Sequence, residues 1–159
     1  VVLGTAEGGL KITLYNINGL NPSSPSIDFL NEWFFKTMHH EFAHILHQTK
    51  NYSTDFNLIS TDYQGPSWLN LESDAVANKM GYVTCYASYS PDEDFVEIIS
   101  NYVTHAKGYW ESVLATAGEE GGDKLARKFE IVRNYLQESW GIDIDKLRDI
   151  VQKLSLIHI

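Results

Sequence analysis

The sequence predicts an α+β domain that is mostly helical. Three observations lead there. One short stretch near the start, "GLKITLYNI" (9–17), alternates apolar and polar residues, the period of a half-buried strand. Residues 27–50 contain neither Gly nor Pro and repeat apolar residues near helical spacing. The rest of the chain carries helix start and stop signals. One strand followed by a run of helices fits a helical α+β layer arrangement.

The elements follow in order. In the strand, Leu10, Ile12 and Leu14 point one way and Lys11, Thr13 and Tyr15 the other. "NGLNPSSPS" (18–26) is turn chemistry. Ser26 and Asp28 then open one long helix, 27–50, with Ile27, Leu30, Phe34, Phe35, Met38, Phe42, Ile45 and Leu46 as a wide buried stripe. Residues 51–72 read as a long loop. Its Tyr52, Tyr63 and Trp68 are aromatic enough to stack on sugars, although packing is the commoner use. "SDAVANKMG" (73–81) is a short helix closed by Gly81, and 82–91 is irregular. The next helix starts strongly at Ser90, an N-cap, with Pro91 at the first helical position and acidic residues in the first turn. Helices follow at about 109–117, 123–139 and 143–154, with a break at "GEEGG" (118–122) and Gly141 between the last two. Residues 1–154 make one domain. The tail, 155–159, departs from the amphipathic pattern, reads as non-native and carries no functional weight.

With 159 residues, 43% of them hydrophobic, the chain can build one core. Its net charge of −9, without a basic cluster, argues against nucleic acid and anionic membrane surfaces as partners. Cys85 is the only cysteine, so no internal disulfide forms. No apolar run approaches a membrane span. The chain starts at Val1 and not Met and carries no signal peptide, so it reads as an excised domain or a fragment, which leaves room for a targeting segment upstream.

The chemistry concentrates in "TMHHEFAHILHQ" (37–48). His40-Glu41-Phe42-Ala43-His44 is an H-E-x-x-H match. Positions i and i+4 share one helix face, so His40 and His44 can converge on one zinc ion. Glu41 can then reach the attacking water as a general base. His39 points to another face. His47 lies seven residues from His40, about 10.5 Å along a straight helix, an awkward span for two ligands of one ion.

A third ligand must come from elsewhere: Glu72, Asp74, Glu93, Asp94, Glu97 or His105. "EDFVE" (93–97) places two glutamates on one helix face. Glu93 would bind metal, while Glu97 would accept the outward N–H of His40 or His44. Yet Ser90-Pro91-Asp92-Glu93 is also a capping box. If Glu93 only closes the helix start, Glu97 takes the metal with Asn101 as its partner. A tyrosine hydroxyl near the site would stabilise an oxyanion, and Tyr86 and Tyr89 lie just upstream.

"HEFAH" followed by "YASYSPDEDFVE" resembles the gluzincin metallopeptidases, and among them the group containing anthrax lethal factor. The resemblance implies a zincin-like fold, with a small sheet, a long zinc helix and a second ligand-bearing helix. It implies Glu93 as third ligand, Glu97 as the residue behind a zinc-bound His, and Tyr86, seven positions before Glu93, as the oxyanion tyrosine. Asp94 stands where those relatives often carry Phe. "TMHHEFAHILHQ" with "DEDFVEIISNYVTHAKGYW" is similar to zinc-binding metallopeptidase lipoproteins of bacterial glycan-import systems, and this likeness spans most of the chain. It implies glycan-import components as partners and a cell-envelope location and says little about substrate. One Zn2+ and a peptide or protein substrate are the expectation from the site residues and the gluzincin likeness. In gluzincins the strand before the zinc helix pairs with extended substrate, a role "GLKITLYNI" could fill. A competing expectation is a non-catalytic module that keeps zinc and binds a peptide or glycan.

Overall fold

The computed structural model describes residues 2–19, 21, 23 and 26–157. Leu20, Pro22, Ser24 and Pro25 of the predicted turn, and residues 158–159 of the predicted tail, lie outside these. A β-hairpin comes first, β1 (Gly4–Glu7) and β2 (Lys11–Leu14), paired antiparallel with Gly4 opposite Leu14. The predicted strand is thereby shortened to 11–14. Leu10, expected to face inward, sits in the hairpin turn and is 92% exposed. β1 was not foreseen, because "GTAE" carries no bulky apolar residue, and pairing with β2 is what makes it a strand.

The predicted long helix is continuous but not uniform. It runs as α1 (Ile27–Leu30), a π-helical segment (Asn31–Phe35) and α2 (Lys36–Thr49). Ser26 Oγ accepts the N–H of Phe29 at its start. The wider π turn shifts the register of side chains by a fraction of a turn. The buried face of α2 differs from the apolar stripe expected. Thr37, His40, Glu41, Ala43, Leu46 and His47 are buried, whereas Met38 and Phe42 are 39% and 48% exposed. The polar face turns inward because it meets the partner groups of the next helices.

Two short pieces, α3 (Phe56–Ile59) and a 3-10 segment (Gly65–Asn70), interrupt the predicted 51–72 loop. α4 (Asp74–Met80) ends at Gly81 as predicted, and a 3-10 turn (Tyr86–Tyr89) leads into α5 (Pro91–Thr104). Every residue of α5 from Asp94 to Thr104 is buried, so α5 is the core of the domain. α2, α6 (Tyr109–Trp140) and α7 (Ile144–Ile157) pack around it. Phe95, Ile98 and Val103 of α5 meet Leu125, Phe129 and Val132 of α6 in one apolar cluster.

The predicted break at 118–122 contracts to one kink at Gly118 (φ 72°, ψ −162°) inside α6. Gly121 then brings α6 against α4, where a Cβ would collide with the carbonyls of Asn78 and Lys79. α7 continues three residues beyond the predicted boundary at 154. Among the described residues, no helix is long and apolar enough to cross a membrane.

Candidate metal centre

α2 and α5 cross with their polar faces together, and three donors meet there. The rings of His40 and His44, one helical turn apart, lie edge to face at 4.9 Å. Glu93 Oε2 stands 3.0 Å from His40 Nε2 and 3.3 Å from His44 Nε2. Among the described residues these three form the one cluster with metal-ligand spacing.

The spacing suits zinc. Zn–N and Zn–O bonds near 2.0–2.1 Å at tetrahedral angles put neighbouring donor atoms about 3.3 Å apart. Both outer ring nitrogens are already engaged, so both Nε2 atoms face the shared centre. His40 Nδ1 donates to Glu97 Oε1 at 2.8 Å, and His44 Nδ1 lies 2.8 Å from His47 Nε2. The residues present thus fit a zinc ion held by His40, His44 and Glu93.

For Glu93, closing the helix start and facing the two histidines are compatible. Ser90 Oγ accepts the backbone N–H of Glu93 at 3.3 Å, which closes the helix start. That bond needs only the main chain, so the Glu93 carboxylate is free to reach across to α2. One turn on, Glu97 binds outward nitrogen rather than the shared centre. Its Oε2 accepts from Thr84 Oγ1 at 2.7 Å and from Asn101 Nδ2 at 3.1 Å. Of the other candidates, Asp74 accepts the N–H of Cys85, Glu72 is exposed, and His105 stacks on Tyr109 at the end of α5. His39 is turned aside, with Nδ1 on the Phe35 carbonyl.

Electrostatics follow from this crowding. Burial disfavours a charged His40, yet the Glu93 and Glu97 carboxylates override it and lift its pKa to about 10 in the metal-free protein. Burial would raise Glu97, but hydrogen-bonding to His40 brings it down to about 2. Glu93 behaves likewise, held well below the usual range against burial by His40 and His44. Glu41 is raised by burial, against the opposing pull of the two histidines. Tyr86 stacks over His40 at 5.9 Å. Burial and then the Glu93 carboxylate push its phenol well above the usual range, so it stays protonated and able to donate.

Asp94, which replaces an expected Phe, is wholly buried and paired with Lys128 of α6 at 2.7 Å. Tyr63 donates to the same carboxylate at 2.9 Å, and Tyr52 donates to Asp92 while stacking on Phe95 at 4.1 Å. Both tyrosines are therefore engaged in packing within the domain. Trp68 lies beside the site, its ring 5.1 Å from that of Tyr86.

Sequence reasoning missed Thr84 and Gly4, and weighed His47 only as a metal ligand. His47 had a signal, since i and i+3 histidines touch on a helix. Thr84 had none, sitting in irregular chain. Gly4 had none either, yet a Cβ there would lie 2.7 Å from Glu41 Cγ.

Residues 1–145 match the model of a family described as "putative zinc-binding metallo-peptidase". The chain belongs to this family. A solved structure of a family protein from Bacteroides caccae, titled with the same description, is 42% identical and superposes with a TM-score of 0.82. The match covers 97% of this chain and 58% of that one, so the chain spans little more than half of its relative's length. No curated protein matches the chain. Membership of a zinc-binding family and the geometry of His40, His44 and Glu93 agree on a zinc-binding centre.

Proposed function

We propose that the chain is the catalytic domain of a zinc peptidase that hydrolyses peptide bonds with Glu41 as general base. The observation that carries this is the convergence of His40, His44 and Glu93 with a buried Glu41 on the same helix. When bound, zinc would polarise the attacking water and the scissile carbonyl.

The chain's own residues supply the rest. Glu41 accepts the water's proton and later delivers it to the leaving amine. Its raised pKa favours the first of these steps, uptake of the water's proton. Tyr86 donates its phenolic hydrogen to the oxygen of the tetrahedral intermediate. The hairpin backbone reaches Glu41 at Gly4, which supports an extended peptide adding to the hairpin edge. The envelope location and the glycan-import partners implied by the resemblance are part of the same proposal.

Glu41→Gln tests it. The variant should keep zinc, measured by metal analysis, and lose at least about 100-fold in cleavage of a peptide the parent cuts. Parent-like cleavage by the variant would refute Glu41 as the base.

A further inference from the structure

His47 has no part in the mechanism above, yet it is only 8% exposed and its Nε2 lies 2.8 Å from Nδ1 of His44. It is outside the group of three donors that share a centre. Its ring is held on two sides, by Tyr52 at 5.7 Å and Phe95 at 6.3 Å, both edge to face. Tyr52 is in turn fixed by its stack on Phe95 and its hydrogen bond to Asp92. The imidazole therefore has one orientation, and its Nε2 points at a metal-site ligand.

The chemistry of that contact is constrained. A metal takes the lone pair of His44 Nε2, so the His44 proton must sit on Nδ1 and needs an acceptor. We propose that His47 is the positioning residue for His44: its neutral Nε2 accepts the Nδ1 proton and selects the tautomer whose Nε2 can bind metal. This rests on the reading of the centre as a zinc site.

The two histidine ligands are then supported unequally. His40 donates to a carboxylate, Glu97, and His44 to a neutral imidazole. The centre already holds or adjoins the carboxylates of Glu93, Glu97 and Glu41. A neutral acceptor at His47 orients His44 without adding a further negative charge, which would weaken the ion as a Lewis acid. Removing the acceptor leaves the His44 Nδ1–H buried and unpaired and favours the other tautomer, whose proton occupies the metal-binding nitrogen.

The test compares His47→Gln with His47→Leu in the full chain. Gln can present its amide oxygen where Nε2 stands, whereas Leu fills space without accepting. Zinc affinity is measured by competition with a chelating dye, and the melting temperature of each metal-free variant by calorimetry. The expected result is that H47L binds zinc about 10–100-fold more weakly while H47Q stays within about threefold of the parent. A purely structural role would move the metal-free melting temperatures and leave the two variants equally affected. Parent-like zinc affinity in H47L, or equal weakening in both variants, overturns the role of His47 alone. If the parent itself binds no zinc, the zinc-site reading fails and this inference with it.

Discussion

Replacing Lys128 with Met probes how the ligand-bearing end of α5 is held. Lys128 and Asp94 have no exposed side-chain surface. The ammonium lies 2.7 Å from Asp94 Oδ2, donates to the Gly81 carbonyl at 2.7 Å and sits 4.3 Å over the Tyr82 ring. Asp94 Oδ1 is buried without a partner. Burial has already pushed Asp94 up to about 6, with Lys128 opposing it. Deleting the cation leaves an uncompensated buried carboxyl group, a change that costs about 3–5 kcal/mol. At roughly 2–4 °C per kcal/mol for a domain of this size, K128M should melt about 6–20 °C below the parent. Because Asp94 follows Glu93 in the first turn of α5, zinc affinity should fall as well. The double variant K128M/D94L removes both charges and should recover most of the stability, since apolar replacement of a whole buried pair is often neutral. Calorimetry on the metal-free proteins reads the first effect and dye competition the second. If K128M melts within about 2 °C of the parent, or the double variant is no better than the single one, the pair does not hold α5 in the way argued.

Three further outcomes follow from the same geometry. A Gly4→Ala Cβ would lie 2.8 Å from Glu41 Oε1, so the carboxylate must move by roughly 1 Å. Such a displacement should lower kcat by at least about tenfold at parental zinc affinity and KM, and an unchanged kcat would count against Gly4 as a constraint on Glu41. Glu97→Ala removes the acceptor for His40 Nδ1 and strands Thr84 and Asn101. Zinc affinity by dye competition should drop about 10–100-fold, and parental affinity would contradict the assignment. The metal-free protein should also respond to pH. His40, raised from 6.5 to about 10, contributes stability that is complete below pH 6.5 and lost as pH rises through 10. Glu97, lowered from 4.5 to about 2, contributes stability that is present above pH 4.5 and lost as pH falls through 2. Melting temperatures of chelator-treated protein should therefore decline between pH 6.5 and 10, while zinc-loaded protein, with His40 deprotonated by the metal, is spared. Identical pH profiles for the two forms would refute this.

Much of the centre was legible because it is written locally. The spacing of His40, Glu41 and His44 needs only the period of a helix. The start of α5 needs only Ser90, Pro91 and three acidic residues, and the end of α4 only Gly81. These features act within one or two turns of chain, so they survive translation from sequence to structure. The strand limits and the buried stripe of the long helix were misread for the same reason in reverse. Leu10 alternates correctly but falls in a turn that β1 imposes, and Met38 and Phe42 keep helical spacing while facing outward.

What the sequence by itself determined is the half-site on α2 and the existence of a second acidic helix start. Only the tertiary structure decided which glutamate meets the histidines. The packing of α2 across α5 sets Glu93 3.0 Å from His40 Nε2 and turns Glu97 to the far side of the same ring. It also decided that Asp94 would find Lys128 from α6, that Thr84 would bind Glu97, and that Gly4 would press on Glu41. None of these pairings has a period or a cap to announce it. Each depends on where two distant segments come to rest once the apolar core around α5 has closed.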